Sequence, residues 1–351
     1  MSVSTLQERF TAEGAVLSEY RGAETPASFG NPQTEFHALL EACGLYDMGW
    51  QAKLVLTGED RVRWLNGVVT NNVRDLGVGH GVYCFVLTPQ GRIMADLLAY
   101  NRGDYLLVTS DRSQAATIKE TFDHYIIMDD VEVADVSDKL SAVGIAGPAA
   151  AAVLQHSGID ASLLAPGQVA DLVWHDLGVT VGRGTHPNFD GFEMWFAAEH
   201  TPKVWDALLA AGAKPIGSEA LEWYRIARGV PRYGVDLTQR DLPQETEQNH
   251  ALSFTKGCYV GQEIVERIRA RAILHRTFTG FLIDGQPVQS GTKITEGERN
   301  IGEITSAVRI PFPSGEHVVG LGYLRRESAT PGTLVHFGEQ TAIVQSIPFQ
   351  F

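Results

Sequence analysis

The sequence predicts an α+β fold that ends in a small antiparallel β-barrel, and two observations support it. The first is a recurring strand–turn–helix pattern in the N-terminal two thirds of the chain. The pattern at 53–65 has a counterpart at 140–154, and the pattern at 104–125 has one at 191–209. The offsets, 86 residues from Lys53 to Lys139 and 88 residues from Asp111 to Glu199, predict two α+β units of common ancestry. Two unrelated copies of a common strand–helix unit would give the same pattern.

The second observation is a change in pattern after Arg276. The chain there alternates between short apolar runs and turn dipeptides such as Asp284-Gly285 and Pro331-Gly332. These features predict strands bounded by turns. The predicted strands cover 278–283, 302–308, 318–324 and 342–347. Short strands at such spacing are typical of a small antiparallel barrel.

The most informative motif is the run Lys-Gly-Cys-Tyr-Val-Gly-Gln-Glu at 256–263. Its two glycines permit a tight turn, and the apolar spacing after it predicts a basic helix over 264–271. Cys258 therefore lies just before a helix N-terminus and beside Lys256, and both features favour the thiolate form. The alternative is a buried structural cysteine at a Gly-rich turn.

This motif, continued to Arg267, resembles the signature of the YgfZ-type folate-binding proteins. That family is related to the glycine-cleavage T-protein (aminomethyltransferase) and is associated with iron–sulfur cluster assembly and repair. Shorter stretches that resemble the superfamily occur at 69–73, 88–92, 190–193 and 229–236. The resemblance implies a T-protein-like fold, with two α+β domains and a C-terminal antiparallel β-barrel around a central cavity.

The resemblance and the patterns together predict three domains. Residues 1–46 and 140–272 are expected to form an α+β folate-binding domain that carries the cysteine motif. Residues 47–139 form a second α+β domain, and residues 273–351 form the barrel.

One departure from the T-protein pattern bears on catalysis. T-proteins carry paired aspartates after a Pro-x-Gly turn, and one of them is their catalytic carboxylate. This chain has Ala95 followed by Asp96 at that place. The loss of one acid favours the YgfZ branch and predicts little or no glycine-cleavage activity. The predicted catalytic residues are Cys258, Lys256 and Asp96, and whether the chain is an enzyme is left open.

The resemblance also implies a binding site for tetrahydrofolate or a derivative. Trp50 is expected to stack on the pterin, with core packing as the alternative. Glu193 is expected to accept hydrogen bonds from the pterin edge, and an exposed strand carboxylate is the alternative. Arg225 is expected to lie near the folate, with an ion pair as the alternative. Trp223 is expected to contribute an aromatic wall.

Net charge, cysteine content and the distribution of apolar residues limit the partners and the cellular location to be expected. The formal net charge of −14 argues against binding of nucleic acid or of an anionic membrane surface. Three widely spaced cysteines without a CxxC pair predict no metal site and a reducing, cytoplasmic location. The N-terminal residues 1–9 lack a secretory pattern, and no apolar run is long enough to span a membrane.

Against this acidic background, residues 256–276 carry a local charge of +3. Such a patch suggests a specific anionic ligand, either the glutamate tail of a folate or an acidic protein partner. A solvated helix face is the alternative.

Three functions follow from these expectations. The first is a tetrahydrofolate-binding accessory protein for iron–sulfur cluster assembly or repair, with Cys258 as its thiol and iron–sulfur proteins or assembly factors as partners. The second is a folate-dependent aminomethyltransferase or demethylase that uses Asp96. The third is a scaffold whose folate site is vestigial.

Overall fold

The computed structural model describes residues 10–11, 14–271 and 274–350. The N-terminal residues on which the export expectation rests, and the domain limit between 272 and 273, lie outside the described residues. The chain divides into two compact units, and each is built from separate parts of the sequence. The first unit comprises Met1–Val68, Asn72–Cys84 and Leu97–Glu222, and the second comprises Val69–Asn71, Phe85–Asp96 and Trp223–Phe351.

The first unit contains a hairpin and a six-stranded sheet. The hairpin is β1 (Val16–Tyr20) with β2 (Ala23–Ser28), and the sheet has the order β10-β11-β12-β9-β3-β13. Its strands are β3 (Gly44–Asp47), β9 (Leu140–Ala146), β10 (Val169–Trp174), β11 (Leu177–Arg183), β12 (Gly191–Ala197) and β13 (Lys214–Pro215). Phe192, Met194 and Phe196 alternate along β12 and enter the core with Trp205, so the intervening residues of β12 face away from that core.

A five-stranded sheet has the order β5-β6-β7-β4-β8. Its strands are β4 (Gln51–Thr57), β5 (His80–Leu87), β6 (Ile93–Asn101), β7 (Leu106–Asp111) and β8 (Glu132–Asp135). The chain passes from one unit to the other within β5 and within β6. The helices that accompany the two sheets are α1 (Pro32–Glu41), α2 (Arg61–Val68), α3 (Arg112–Tyr125), α4 (Ala150–His156), α5 (Thr201–Ala210) and α6 (Ser218–Ala227). The four strand–turn–helix patterns read from the sequence are thus all present.

The second unit carries the basic helix and the barrel. Helix α7 (Gln262–Arg271) follows the cysteine motif as expected. The closed barrel has the order β14-β17-β16-β15-β18-β19. Its strands are β14 (Arg276–Asp284), β15 (Lys293–Glu296), β16 (Arg299–Phe312), β17 (Gly315–Arg325), β18 (Leu334–Phe337) and β19 (Gln340–Gln345). The predicted α+β class with a C-terminal antiparallel barrel is confirmed, although the two shortest strands, β15 and β18, were not foreseen.

Two features are absent from the described part of the chain. No helix there combines the length and the hydrophobicity needed to cross a membrane. No group of three or more His, Cys, Asp or Glu side chains there is arranged to hold a metal ion.

Candidate functional site

In the first unit, Glu193 is the centre of a polar cluster that joins the two sheets. It lies on β12 and its carboxylate oxygen Oε2 accepts a hydrogen bond from Nε2 of Gln51, on β4, at 2.9 Å. The other end of the Gln51 amide, Oε1, accepts from Nε1 of Trp195 at 3.2 Å. Nζ of Lys53 donates to the backbone oxygen of Gln51 at 3.1 Å. Glu193 is therefore a half-buried, hydrogen-bonded carboxylate rather than a solvated one.

Burial dominates the electrostatics of this cluster. It raises the pKa of Glu193 above its ordinary value, while the Gln51 hydrogen bond and the Lys53 charge offset part of the rise. Lys53 is 1% exposed. Burial, reinforced by Arg112, lowers the pKa of Lys53 to about 8. A half-buried acid and a buried base thus lie close enough to influence each other's protonation.

The sequence did not single out Gln51 or Lys53. A signal for them was present, because both residues are polar at positions of β4 where the flanking sequence is apolar. Polar side chains in a buried strand require hydrogen-bond partners. The sequence pattern could not identify those partners, because they are distant in the chain. The backbone N–H of Lys53 donates to Ser137, more than 80 residues away, and the Gln51 side chain donates to Glu193, 142 residues away.

Trp50 is packed in the first unit and is 8% exposed. The guanidinium of Arg21 lies 4.5 Å from the centre of its ring, and Tyr20 meets the ring edge-on at 5.9 Å. Arg21 is itself held by Asp111 at 3.3 Å. The ring face that Arg21 covers is not available to a ligand, so stacking of a pterin on Trp50 would require its other face.

In the second unit, strand β6 separates Ala95 from Asp96. Ala95 is fully buried, whereas Asp96 and Met94 are half-buried on the alternate positions. Asp96 is also close to Tyr233: burial raises the pKa of Tyr233 to about 12, and the Asp96 charge adds to the rise. An acid at position 95 would point into the core. The retained aspartate is therefore the accessible one of the two positions.

Arg225, on α6, is buried in an ion pair. Its Nη1 donates to Asp236 Oδ2 at 2.7 Å and to the Val230 backbone oxygen at 3.1 Å, and its Nη2 donates to Ser306 Oγ at 3.2 Å. The ion pair that was the alternative reading of Arg225 is thus present, but it is buried rather than at the surface. Trp223, two residues earlier, is half-buried.

The cysteine motif places Cys258 and Lys256 differently. Cys258 is exposed, whereas Cys43 and Cys84 are buried. Lys256 is 6% exposed, and its Nζ donates to the backbone oxygens of Val69 and Asn71, both at 2.7 Å. Because the ammonium group of Lys256 is held by these two carbonyl oxygens, Lys256 anchors the segment at residues 69–71. Its catalytic role stays a prediction.

A groove of about 560 Å³ in the second unit is lined by one face of α7. Ile264 and Ile268 supply apolar surface, while Arg92, Arg267 and Arg271 supply positive charge. Within the described residues, Arg267 and Arg271 form no ion pair with a carboxylate. This part of the predicted basic patch is therefore open to an anionic group.

The rest of the basic patch is paired within the chain. Arg269 pairs with Glu266 at 3.5 Å. Arg276 pairs with Asp241 at 2.7 Å and with Glu245 at 2.8 Å. The solvated helix face that stood as the alternative thus fits Arg269, whereas Arg276 lies on β14 and is paired with carboxylates of the chain.

A family model, sequence relatives and a solved structure all relate this chain to aminomethyltransferases. The family model described as GCVT N-terminal domain matches residues 6–256. An aminomethyltransferase of Rubrobacter xylanophilus is 28% identical over 350 residues, which are 99% of this chain and 93% of that protein. One from Geobacillus kaustophilus is 29% identical over 329 residues, covering 91% and 89%. The crystal structure of glycine cleavage system aminomethyltransferase T from Bartonella henselae superposes with a TM-score of 0.87 at 21% identity, covering 98% of this chain and 97% of that one.

Proposed function

Because the chain belongs to the GCVT N-terminal domain family, we propose that it binds a reduced folate and uses the Asp96 carboxylate in transfer of a one-carbon group. The relatives named aminomethyltransferase make an aminomethyl group the first candidate. From sequence this function stood second to the iron–sulfur role, because one aspartate is missing. The observation that favours this function is the alternation along β6, which buries position 95 and leaves position 96 half-buried.

The described residues fit a folate. The carboxylate oxygen Oε2 of Glu193 is held by Gln51, and Trp195 also interacts with this carboxylate. An ionised carboxylate has about four lone-pair sites, so Glu193 can still accept from the N–H groups of an aminopyrimidine edge. A reduced folate supplies the amine nitrogen that carries the one-carbon unit. Asp96 would take up or deliver the proton that moves when the bond to that nitrogen changes.

The test combines binding with turnover. Calorimetry should show saturable binding of tetrahydrofolate, and Glu193→Gln should weaken it about tenfold or more, since a hydrogen bond to a charged group is worth about 1.5–3 kcal/mol. In a reconstituted glycine-cleavage assay, Asp96→Asn should retain folate binding and lose about 100-fold or more in rate. Asp284→Asn, an exposed aspartate of the same unit, is the matched control. Absence of binding at millimolar ligand would sink the proposal, as would full turnover by Asp96→Asn.

A second candidate is favoured by the exposed Cys258 thiol in the YgfZ-like motif. In this reading the protein is a folate-binding accessory factor in a reducing, cytoplasmic compartment, and its partners are iron–sulfur proteins or assembly factors. The three domain limits predicted from sequence belong to the same proposal.

Complementation separates the two candidates. In cells lacking the native gene, the accessory role predicts that Cys258→Ala fails to restore iron–sulfur enzyme activity while Asp96→Asn succeeds. Transfer chemistry predicts that loss of the gene leaves iron–sulfur enzyme activity intact, and that Asp96→Asn but not Cys258→Ala fails to restore glycine cleavage. Cys43→Ala controls for the loss of a thiol as such.

A further inference from the structure

We infer that Gln51, together with Trp195 and Lys53, is a positioning device that holds Glu193 as an anionic acceptor for the pterin edge. The inference rests on the proposed folate site and adds residues that neither the sequence patterns nor the relatives' names assign. Gln51 is the central member, since both ends of its amide and its backbone oxygen are engaged.

The orientation of the Gln51 amide follows from the chemistry of its neighbour. An indole N–H is a donor only, so the amide atom facing Trp195 must be the oxygen. The NH₂ group of Gln51 then necessarily faces Glu193, at 2.9 Å. The usual ambiguity in assigning a glutamine amide is thereby removed. Trp195 is 2% exposed and Gln51 3%, so neither side chain has room to turn away.

This orientation constrains the protonation of Glu193. A donor directed at Oε2 stabilises the ionised carboxylate more than the neutral acid, and it opposes a proton on that oxygen. Gln51 therefore acts against burial, which by itself favours the neutral acid.

Lys53 acts in the same direction through its charge. Its Nζ is anchored on the backbone oxygen of Gln51, and its charge lowers the pKa of Glu193. The charged groups facing Lys53 are Arg112 on α3, Asp47 on β3 and Asp135 on β8, besides Glu193 itself.

One further group completes the surroundings of Glu193. Tyr100 on β6 packs against Trp195 at 4.9 Å. Burial and the Glu193 charge raise the pKa of Tyr100 well above its ordinary value. Tyr100 therefore stays neutral beside the Glu193 carboxylate.

The consequence for a ligand is that the carboxylate of Glu193 is already held in place. Oε2 accepts from Gln51, which fixes the plane of the carboxylate. Because an ionised carboxylate has about four lone-pair sites, acceptor capacity remains for a ligand N–H. A carboxylate fixed in this way loses little side-chain freedom when the ligand binds.

Two measurements on the full-length protein test the inference. An NMR titration of the Glu193 carboxyl carbon without ligand should give a higher pKa in Gln51→Leu than in wild type, by about one unit if the lost hydrogen bond is worth about 1.5 kcal/mol. Lys53→Met should shift it in the same direction. Calorimetric affinity for tetrahydrofolate, followed from about pH 5 to about pH 9, should show its midpoint displaced upward by the same amount in each variant.

The matched control is Gln114→Leu, which removes a buried glutamine that does not bond to Glu193. Ionisation of tetrahydrofolate itself affects wild type and Gln114→Leu equally, so the midpoint of the affinity curve should be the same in both. Thermal unfolding identifies a variant that fails to fold, in which case Lys53→Met carries the test. Unshifted pKa values in Gln51→Leu and Lys53→Met would overturn the inference, even if Glu193→Gln still weakened folate binding. If Glu193→Gln bound folate normally, the proposed folate site would fall instead.

Discussion

The buried pair between Arg225 and Asp236 offers the sharpest prediction about stability. Asp236 is 1% exposed, and four donors converge on its carboxylate. Oδ2 accepts from Arg225 at 2.7 Å and from the backbone N–H of Arg232 at 3.0 Å. Oδ1 accepts from the hydroxyls of Thr305 at 2.6 Å and Ser306 at 2.7 Å. Three of these donors are neutral, so Arg225 alone supplies the compensating charge within this set.

Replacing Arg225 by Met should therefore lower the free energy of unfolding by about 3–5 kcal/mol, the usual cost of leaving one charge of a buried pair behind. Removing both charges in Arg225→Met with Asp236→Leu should recover part of the loss, because the uncompensated carboxylate is then gone. Equilibrium denaturation with urea measures both values.

Arg240→Met is the matched control for that experiment. Arg240 is 70% exposed and pairs with Glu303 at 3.5 Å, so its loss should cost about 1 kcal/mol or less. A loss below about 1 kcal/mol for Arg225→Met would refute the reasoning and reopen the expectation that its guanidinium serves a ligand.

Three further outcomes are expected. Iodoacetamide applied to the native protein at neutral pH should alkylate Cys258 first, because Cys43 is 1% exposed and burial raises its pKa to about 12; early labelling of Cys43 in mass spectra would contradict this. Gly91→Ala should lower the free energy of unfolding, measured with urea, by about 1–3 kcal/mol more than Gly234→Ala. Both glycines have positive φ, but only at Gly91 would an added Cβ meet a side chain of α7, at 2.7 Å. Equal losses of stability would argue against that contact. The free energy of unfolding should rise between about pH 8 and pH 10.5, because folding lowers the pKa of Lys53 from 10.5 to about 8. In that pH range Lys53 is protonated in the unfolded chain but not in the folded one, so raising the pH favours the folded state. Lys53→Met should show a smaller rise, and a pH profile identical to that of wild type would rule out this contribution.

Local sequence pattern was sufficient to predict the strand–turn–helix segments, the basic helix and four of the barrel strands, but not which residues these elements contact. The strand–turn–helix segments and the four longer barrel strands were readable because apolar periodicity and turn residues are contained in a few adjacent residues. Strands β15 and β18, with 4 residues each, have too few positions to show a period. They exist because neighbouring strands supply their hydrogen bonds.

The candidate site shows the same division. The resemblance to T-proteins pointed to Glu193 and Asp96, and the local chemistry of the Gly-rich motif pointed to Cys258. The fate of Arg225 depended on which acid the fold brought to it, and position 95 became interpretable only once β6 fixed which residues face inward. Sequence placed Lys256 beside Cys258, yet the acceptors of its ammonium group lie in the segment at residues 69–71.

The Lys256 contacts also set an order of events during synthesis. The Val69 oxygen and its lysine partner are 187 positions apart. At about 5–20 residues per second on the ribosome, that oxygen emerges roughly 10–40 seconds before its partner. The first unit ends at Glu222, whereas the second needs chain that extends to the C-terminus. Every residue of the first unit is therefore synthesised before Lys256 of the second unit. A ribosome that stalls before residue 256 leaves the 69–71 segment without the two hydrogen bonds from Lys256.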